Sequence, residues 1–70
     1  MQDANRTVGQ RIVKIREAKG FTQDGLAQRS GLNRSHLYRV ETGRQSATVR
    51  TLKIIADTLG VRVRDLVKDL

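Results

Sequence analysis

Residues 22–42 read TQDGLAQRSGLNRSHLYRVET. Gln23 to Arg29 form one short helical segment, with Thr22 as its cap and Leu26 and Ala27 on the inward side. A tight turn follows at Ser30-Gly31-Leu32, where glycine accepts a left-handed backbone cheaply. Asn33 then caps a second helix from Arg34 to Glu41. Leu37 and Val40, three apart, pack inward. Arg34, Ser35, Tyr38 and Arg39 are left pointing outward, so the second helix shows basic and polar groups to its surroundings.

Two helices that cross closely at a large angle need a small residue in the first and a glycine in the turn. Ala27 and Gly31, four apart, supply both. This is the outline of a helix-turn-helix, in which the second helix enters the major groove of DNA. The charge agrees. The 70-residue chain carries 14 Lys and Arg against 7 Asp and Glu, a net +7. The excess is concentrated in residues 29–56, where Arg29, Arg34, Arg39, Arg44, Arg50 and Lys53 face one acid, Glu41. Residues 57–70 are neutral. A basic surface gathered around one helix suits a polyanionic partner.

Outward from this stretch, glycines punctuate the chain. Gly20, Gly31, Gly43 and Gly60 each follow an apolar-periodic segment, and there is no proline. Five helices fit the spacing and strands do not. The first is expected over Val8–Lys19, opened by a capping box of Thr7 and Gln10, with residues 1–5 as a loose arm. The fourth is expected over Val49–Leu59, capped by Thr48, with Leu52, Ile55, Ala56 and Leu59 as its apolar stripe. The fifth is expected over Val63–Leu70, with Arg62 standing where a Ser or Asp cap is usual. The chain is read as a single all-α domain over 1–70.

Several function classes fall away. There is no cysteine, a single histidine and no metal-ligand cluster, so disulfide, zinc and most nucleophilic chemistry are excluded. No paired carboxylates or phosphate-cradling glycine loop suggest an enzyme. No cofactor, metal or small-molecule effector is expected. No apolar run approaches the roughly 20 residues that span a bilayer, and no leader-like apolar segment opens the chain. The expected location is the cytoplasm, on the nucleoid, with no membrane partner.

With these residues in place, the chain resembles the Cro/cI-type (lambda-repressor-like) helix-turn-helix family. The likeness runs from RIVKIREAKGFTQ through GLAQRSGLNRSHLYRVETGR to TLKIIADTLGVRVRDLV, and gives the domain as residues 12–66 with the motif at 23–42. It implies a compact five-helix bundle that binds operator DNA, usually as a symmetric dimer, in a bacterial or phage setting. Restriction–modification controller proteins, small phage repressors and some antitoxins share this form, and the TLKIIADTLGVRVRDLV ending is most like a controller. The expected function is autoregulatory control of transcription by a homodimer on a two-fold operator. The alternative is an antitoxin whose main partner is a toxin protein.

The resemblance implies base-reading positions at Gln23, Arg34, Ser35 and Arg39. Arg34 and Arg39 suit guanine, whose O6 and N7 accept two hydrogen bonds from one guanidinium; either of them alternatively grips phosphate. Asn33, His36, Thr42, Arg44, Gln45, Ser46, Thr48 and Arg50 are the sugar-phosphate candidates, with His36 equally readable as a solvated polar residue. Arg16 and Glu41 match an ion pair between the first helix and the end of the third. Ile55, Leu59, Val61, Val63, Leu66 and Val67, in the charge-neutral end, are the candidates for a dimer seam, or else belong to the core.

Overall fold

The computed structural model describes residues 3–70, which form five helices and no strand: α1 (Ala4–Ala18), α2 (Gln23–Ser30), α3 (Arg34–Glu41), α4 (Val49–Leu59) and α5 (Val63–Val67). The all-α, five-helix reading holds. Three helix starts stand where local chemistry puts them. The Thr22 hydroxyl accepts from the Gly25 N–H at 2.9 Å, the Asn33 side chain from the His36 N–H at 3.2 Å, and the Thr48 hydroxyl from the Thr51 N–H at 3.1 Å. Each of these caps satisfies a backbone donor that the first helical turn leaves open.

The first helix differs from expectation. It begins four residues earlier, capped by Asp3, whose carboxylate accepts from the Asn5 N–H at 3.0 Å. Thr7 therefore lies inside the first turns, and its hydroxyl donates to the Asp3 carbonyl at 3.2 Å instead of opening a capping box with Gln10. Of the expected arm, Ala4 and Asn5 are helical; Met1 and Gln2 lie outside the described residues. The last helix also differs, ending at Val67 rather than Leu70. Arg11 on α1 donates to the carbonyls of Leu66 (3.3 Å) and Lys68 (2.6 Å), so the final turn finds its partner across the fold and the chain turns away. Leu70 is consequently exposed instead of joining the apolar stripe. At the start of α5, Asp65 replaces the missing cap by accepting from the Arg62 N–H at 2.9 Å.

Every helix contributes a fully buried side chain to the centre: Ile12, Leu26, Leu37, Ile55 and Leu66, with Val40 of α3 beside them. Their meeting defines a single core, to which each aliphatic group contributes about 1.5–3 kcal/mol on burial. Helix α1 backs the whole bundle and packs against α3, α4 and α5, while α2 packs against α3 and α4. Three of the residues proposed for a dimer seam are used up here. Ile55, Leu59 and Leu66 are 0 %, 3 % and 0 % exposed in the single chain, so they cannot also present a surface to a second copy. Val61, Val63 and Val67 only rim the core and keep part of their surface.

The tightest approach in the fold is between α1 and the end of α3. Gly9 is buried on α1 facing the last turn of α3. A Cβ there would press on the Glu41 carbonyl oxygen and stand 2.5 Å from that of Val40. Gly43, just past α3 at φ +76°, likewise stands where a Cβ would come within 2.8 Å of the Arg6 Cα. Two glycines thus let the backbones meet. We expect Gly9→Ala to destabilise the chain by at least about 1–3 kcal/mol, because only backbone can yield. Urea unfolding should show a lower midpoint with an unchanged slope; an unaltered midpoint would mean that the approach is loose.

Candidate nucleic-acid interface

The approach of α1 to α3 is closed by charge. Arg16 on α1 holds the Glu41 carboxylate with two hydrogen bonds, Nε to Oε2 at 2.7 Å and Nη2 to Oε1 at 3.1 Å. Its third nitrogen donates to the Phe21 carbonyl at 3.2 Å. The Glu41 side chain is 2 % exposed and that of Arg16 11 %, which makes this a buried pair. The hydrogen bond to Glu41 raises the Arg16 guanidinium above its ordinary range and outweighs the opposing effect of burial, so the cation is fixed. Gln23 joins the same carboxylate, donating from Nε2 to Oε1 at 2.8 Å. No buried side-chain nitrogen or oxygen among the described residues is left without a partner.

Gln23 also faces outward. Together with Arg34, Ser35, Tyr38 and Arg39 it lines a shallow cleft of about 410 Å³ over the first turns of α3. All four residues singled out for base reading therefore share one surface. They do so with unequal freedom. One amide hydrogen of Gln23 is held by Glu41, which leaves its carbonyl oxygen and second hydrogen outward. The Arg34 Nε stands 2.8 Å from a carboxylate oxygen of Asp24 on α2, both side chains being about two-thirds exposed, at 70 % and 68 %. The Arg39 Nε donates to the Gln45 Oε1 at 2.8 Å. Ser35 is exposed at the open end of α3.

The eight candidates for the sugar-phosphate backbone divide by what their polar atoms already do. Thr42 donates its hydroxyl to the carbonyls of Tyr38 (2.9 Å) and Arg39 (3.3 Å). Thr48 hands its hydroxyl hydrogen to Thr51 at 3.0 Å. While those bonds hold, neither threonine has a proton for a phosphate oxygen. Asn33 spends its oxygen on the cap and keeps its amide nitrogen. Gln45 is engaged by Arg39, and His36 is half-buried on the side of α3. Ser46 and Arg50 are exposed. Arg44 lies over the Tyr38 ring with 6.0 Å from guanidinium carbon to centroid, an arrangement that keeps its charge on the α3 side of the loop.

Two residues of this region were not legible as participants. Asp24 has no sequence signal beyond being an acid in the first turn of α2, a position that the helix dipole favours anyway. Gly9 had a signal that was open to use: a glycine inside a helix is unfavourable by about 1 kcal/mol, so it marks a close approach. Among the described residues no group of three His, Cys, Asp or Glu is placed to hold a metal ion.

The family described as "Helix-turn-helix" matches residues 12–66. The chain belongs to this helix-turn-helix family, in its Cro/cI form. Among curated relatives, the immunity repressor protein of Bacillus phage phi105 is 41 % identical over 61 residues, covering 87 % of this chain and 42 % of the repressor. The chain thus spans less than half of that relative's length. An uncharacterized HTH-type transcriptional regulator of Sinorhizobium fredii, y4dJ, is 38 % identical over 65 residues, covering 93 % of this chain and 84 % of the regulator. Among solved structures, the restriction-modification controller protein C.AhdI from Aeromonas hydrophila aligns with a TM-score of 0.85 at 35 % identity, over 89 % of this chain and 94 % of that one. The biofilm master regulator SinR, solved in complex with DNA, aligns with a TM-score of 0.81 at 32 % identity, over 84 % and 95 %. These relatives are described as a repressor, a transcriptional regulator, a controller protein and a master regulator, all carried on the helix-turn-helix fold of this chain.

The Glu41 carboxylate is where the bonds from Arg16 and Gln23 meet. Glu41→Ala leaves a buried guanidinium unpaired and should lower stability by about 3–5 kcal/mol in denaturant unfolding. Replacing Arg16 and Glu41 together by Met should recover most of the loss, because no uncompensated charge then remains. A double variant as unstable as Glu41→Ala would show that the pair adds stability outright.

Proposed function

We propose that the chain is a sequence-specific regulator of transcription that binds double-stranded DNA as a homodimer on a two-fold operator and controls its own gene, in the manner of a restriction–modification controller. The observation that carries this reading is the cleft at the start of α3, where Gln23, Arg34, Ser35 and Arg39 converge. That end of a second helix is the part that enters the major groove. The arginines act on guanine, Gln23 offers an acceptor to an amino group of adenine or cytosine, and Ser35 adds a short-range hydroxyl. Arg44, Ser46 and Arg50 hold the backbone on either side, and the amide nitrogen of Asn33 adds a contact at the helix start. The solved structure of a similar chain, SinR, with DNA supports the mode of binding, and the likeness to C.AhdI supports the restriction–modification controller class.

A single reader of this size covers one half-site. Two copies related by a two-fold axis would place their α3 helices about 34–36 Å apart, one turn of DNA. Val61, Val63 and Val67, left partly uncovered on a charge-neutral stretch, and the exposed Leu70 beside them offer apolar groups to join them. Work on DNA places such a regulator on the nucleoid.

Selection of bound fragments from random DNA should return an inverted repeat, and sedimentation of the DNA-free chain should show a dimer that dissociates on dilution. A single unrepeated site together with a monomer at the highest soluble concentration would overturn the dimer. Within the interface, Arg39→Ala should lose about 1–3 kcal/mol of preference at one base pair. Arg44→Ala should instead weaken binding to every sequence and lower the salt slope by about 1. Sequence-blind losses from both, measured by anisotropy at several salt concentrations, would contradict this division of labour.

A further inference from the structure

We propose that Asp24 and Gln45 are positioning residues that set the specificity of the two arginines; the proposal rests on the reading of Arg34 and Arg39 as guanine contacts. Asp24 is out of place on a surface meant for DNA. It stands in a chain of net charge +7, on the side that meets phosphates, where a carboxylate repels the partner. Nor does its ion pair hold the fold together, since both side chains are about two-thirds exposed, at 70 % and 68 %, and such pairs contribute little to stability. Its neighbour is what gives it sense: the carboxylate lies 2.8 Å from the Arg34 Nε.

Gln45 repeats the arrangement on the other arginine. Its Oε1 accepts from the Arg39 Nε at 2.8 Å. The loop that carries it is itself fixed, because the N–H groups of Arg44 and Gln45 both donate to the Arg39 carbonyl, at 2.9 and 3.2 Å. Gln45 accepts a hydrogen bond from the Arg39 Nε, and Asp24 meets the Arg34 Nε as an ion-pair contact, so each arginine is approached at its stem-side nitrogen. The two terminal nitrogens of each arginine remain, and they form the end-on fork that matches O6 and N7 of guanine. An unheld arginine has many rotamers and must give them up on binding. One already held at Nε gives up less, and presents its fork in one direction. Asp24 adds a second effect, because its charge penalises any complex in which Arg34 slides off to a phosphate. Discrimination rises while affinity for DNA in general falls.

The test uses the full chain in anisotropy titrations. The probes are a duplex recovered from the random-DNA selection, copies with 7-deazaguanine in place of each guanine in turn, which removes the N7 acceptor, and a scrambled duplex. Arg34→Ala and Arg39→Ala locate the guanine that each arginine reads. Asp24→Ala should then reduce the deazaguanine penalty at the Arg34 position alone, by about two- to fivefold, and bind the scrambled duplex more tightly than the parent. Gln45→Ala should reduce the penalty at the Arg39 position alone, without tighter binding to the scrambled duplex. If Asp24→Ala tightens all duplexes by one factor and keeps the penalty intact, Asp24 is a bare repulsive charge and the proposal falls. If it weakens all duplexes equally with a lower melting temperature, Asp24 serves only the start of α2, and the proposal falls again. If the arginine variants keep the full penalty, the guanine reading itself is wrong; if they lose it while Asp24→Ala and Gln45→Ala do not, only the positioning role is.

Discussion

The backbone contact between α1 and the end of α3 is the constraint on which the other features depend. Gly9 and Gly43 admit the approach, and Arg16 with Glu41 fills what remains of it. A buried ion pair is a poor source of net stability, since the two charges give up water to meet. Its value is geometric. The guanidinium fork fits the carboxylate in one way only, and its third nitrogen is taken by the Phe21 carbonyl at the head of the turn into α2. Three segments of chain are thereby referred to a single carboxylate: α1 through Arg16, α3 through Glu41 and α2 through Gln23. A core of aliphatic side chains tolerates small sliding between helices. A buried charge network in which every buried nitrogen and oxygen has a partner does not, because any slip leaves a buried polar atom unpaired.

The same network crosses from the interior to the surface. Gln23 has one end on the buried carboxylate and lines the outer cleft beside Arg34 and Arg39. The geometry of the outer cleft is therefore tied to that of the core, and not only to the rigidity of α3. At the other end of α3, Thr42 and the loop N–H groups return to the carbonyls of Tyr38 and Arg39. The last turn is closed by the segment that follows it, and this brings Arg44 and Gln45 alongside Tyr38 and Arg39. A small domain has little apolar burial to spare for rigidity. Here short-range polar closure at both ends of α3 does that work.

The features that proved legible in the sequence are those whose causes lie within four residues. Thr22, Asn33 and Thr48 cap their helices because a side chain at the cap reaches a backbone N–H three positions on. Leu26, Ala27, Leu37 and Val40 are buried as their spacing requires. The misread features have either a local rival or a distant cause. Thr7 looked like a cap because its spacing to Gln10 is right, but Asp3, four residues earlier, serves as the cap instead. The end of α5 is set by Arg11, more than fifty positions away in the chain. The pair of Asp24 and Arg34 spans the turn between two helices, and no local pattern encodes it. For the candidate site, the family likeness gathered the residues of the cleft. What each polar atom is already doing could be known only from the fold.

The apolar residues of the last third show why periodicity alone could not separate core from surface. A stripe such as Leu52, Ile55, Ala56 and Leu59 states that one face of α4 is covered and leaves open by what. The structure answers that α1 and α2 cover it from one side and α5 from another, which uses Ile55, Leu59 and Leu66 completely. What this leaves over is Val61, Val63 and Val67, half-buried at the rim, with Val49 and Leu70 exposed beyond them. Stable dimers bury on the order of 800 Å² per partner, and three half-buried valines are by themselves a small apolar seam. Weak self-association is nonetheless what a concentration-sensitive regulator needs. When each half-site is bound by one copy, the DNA holds both at high effective concentration, and a modest apolar contact suffices to couple them.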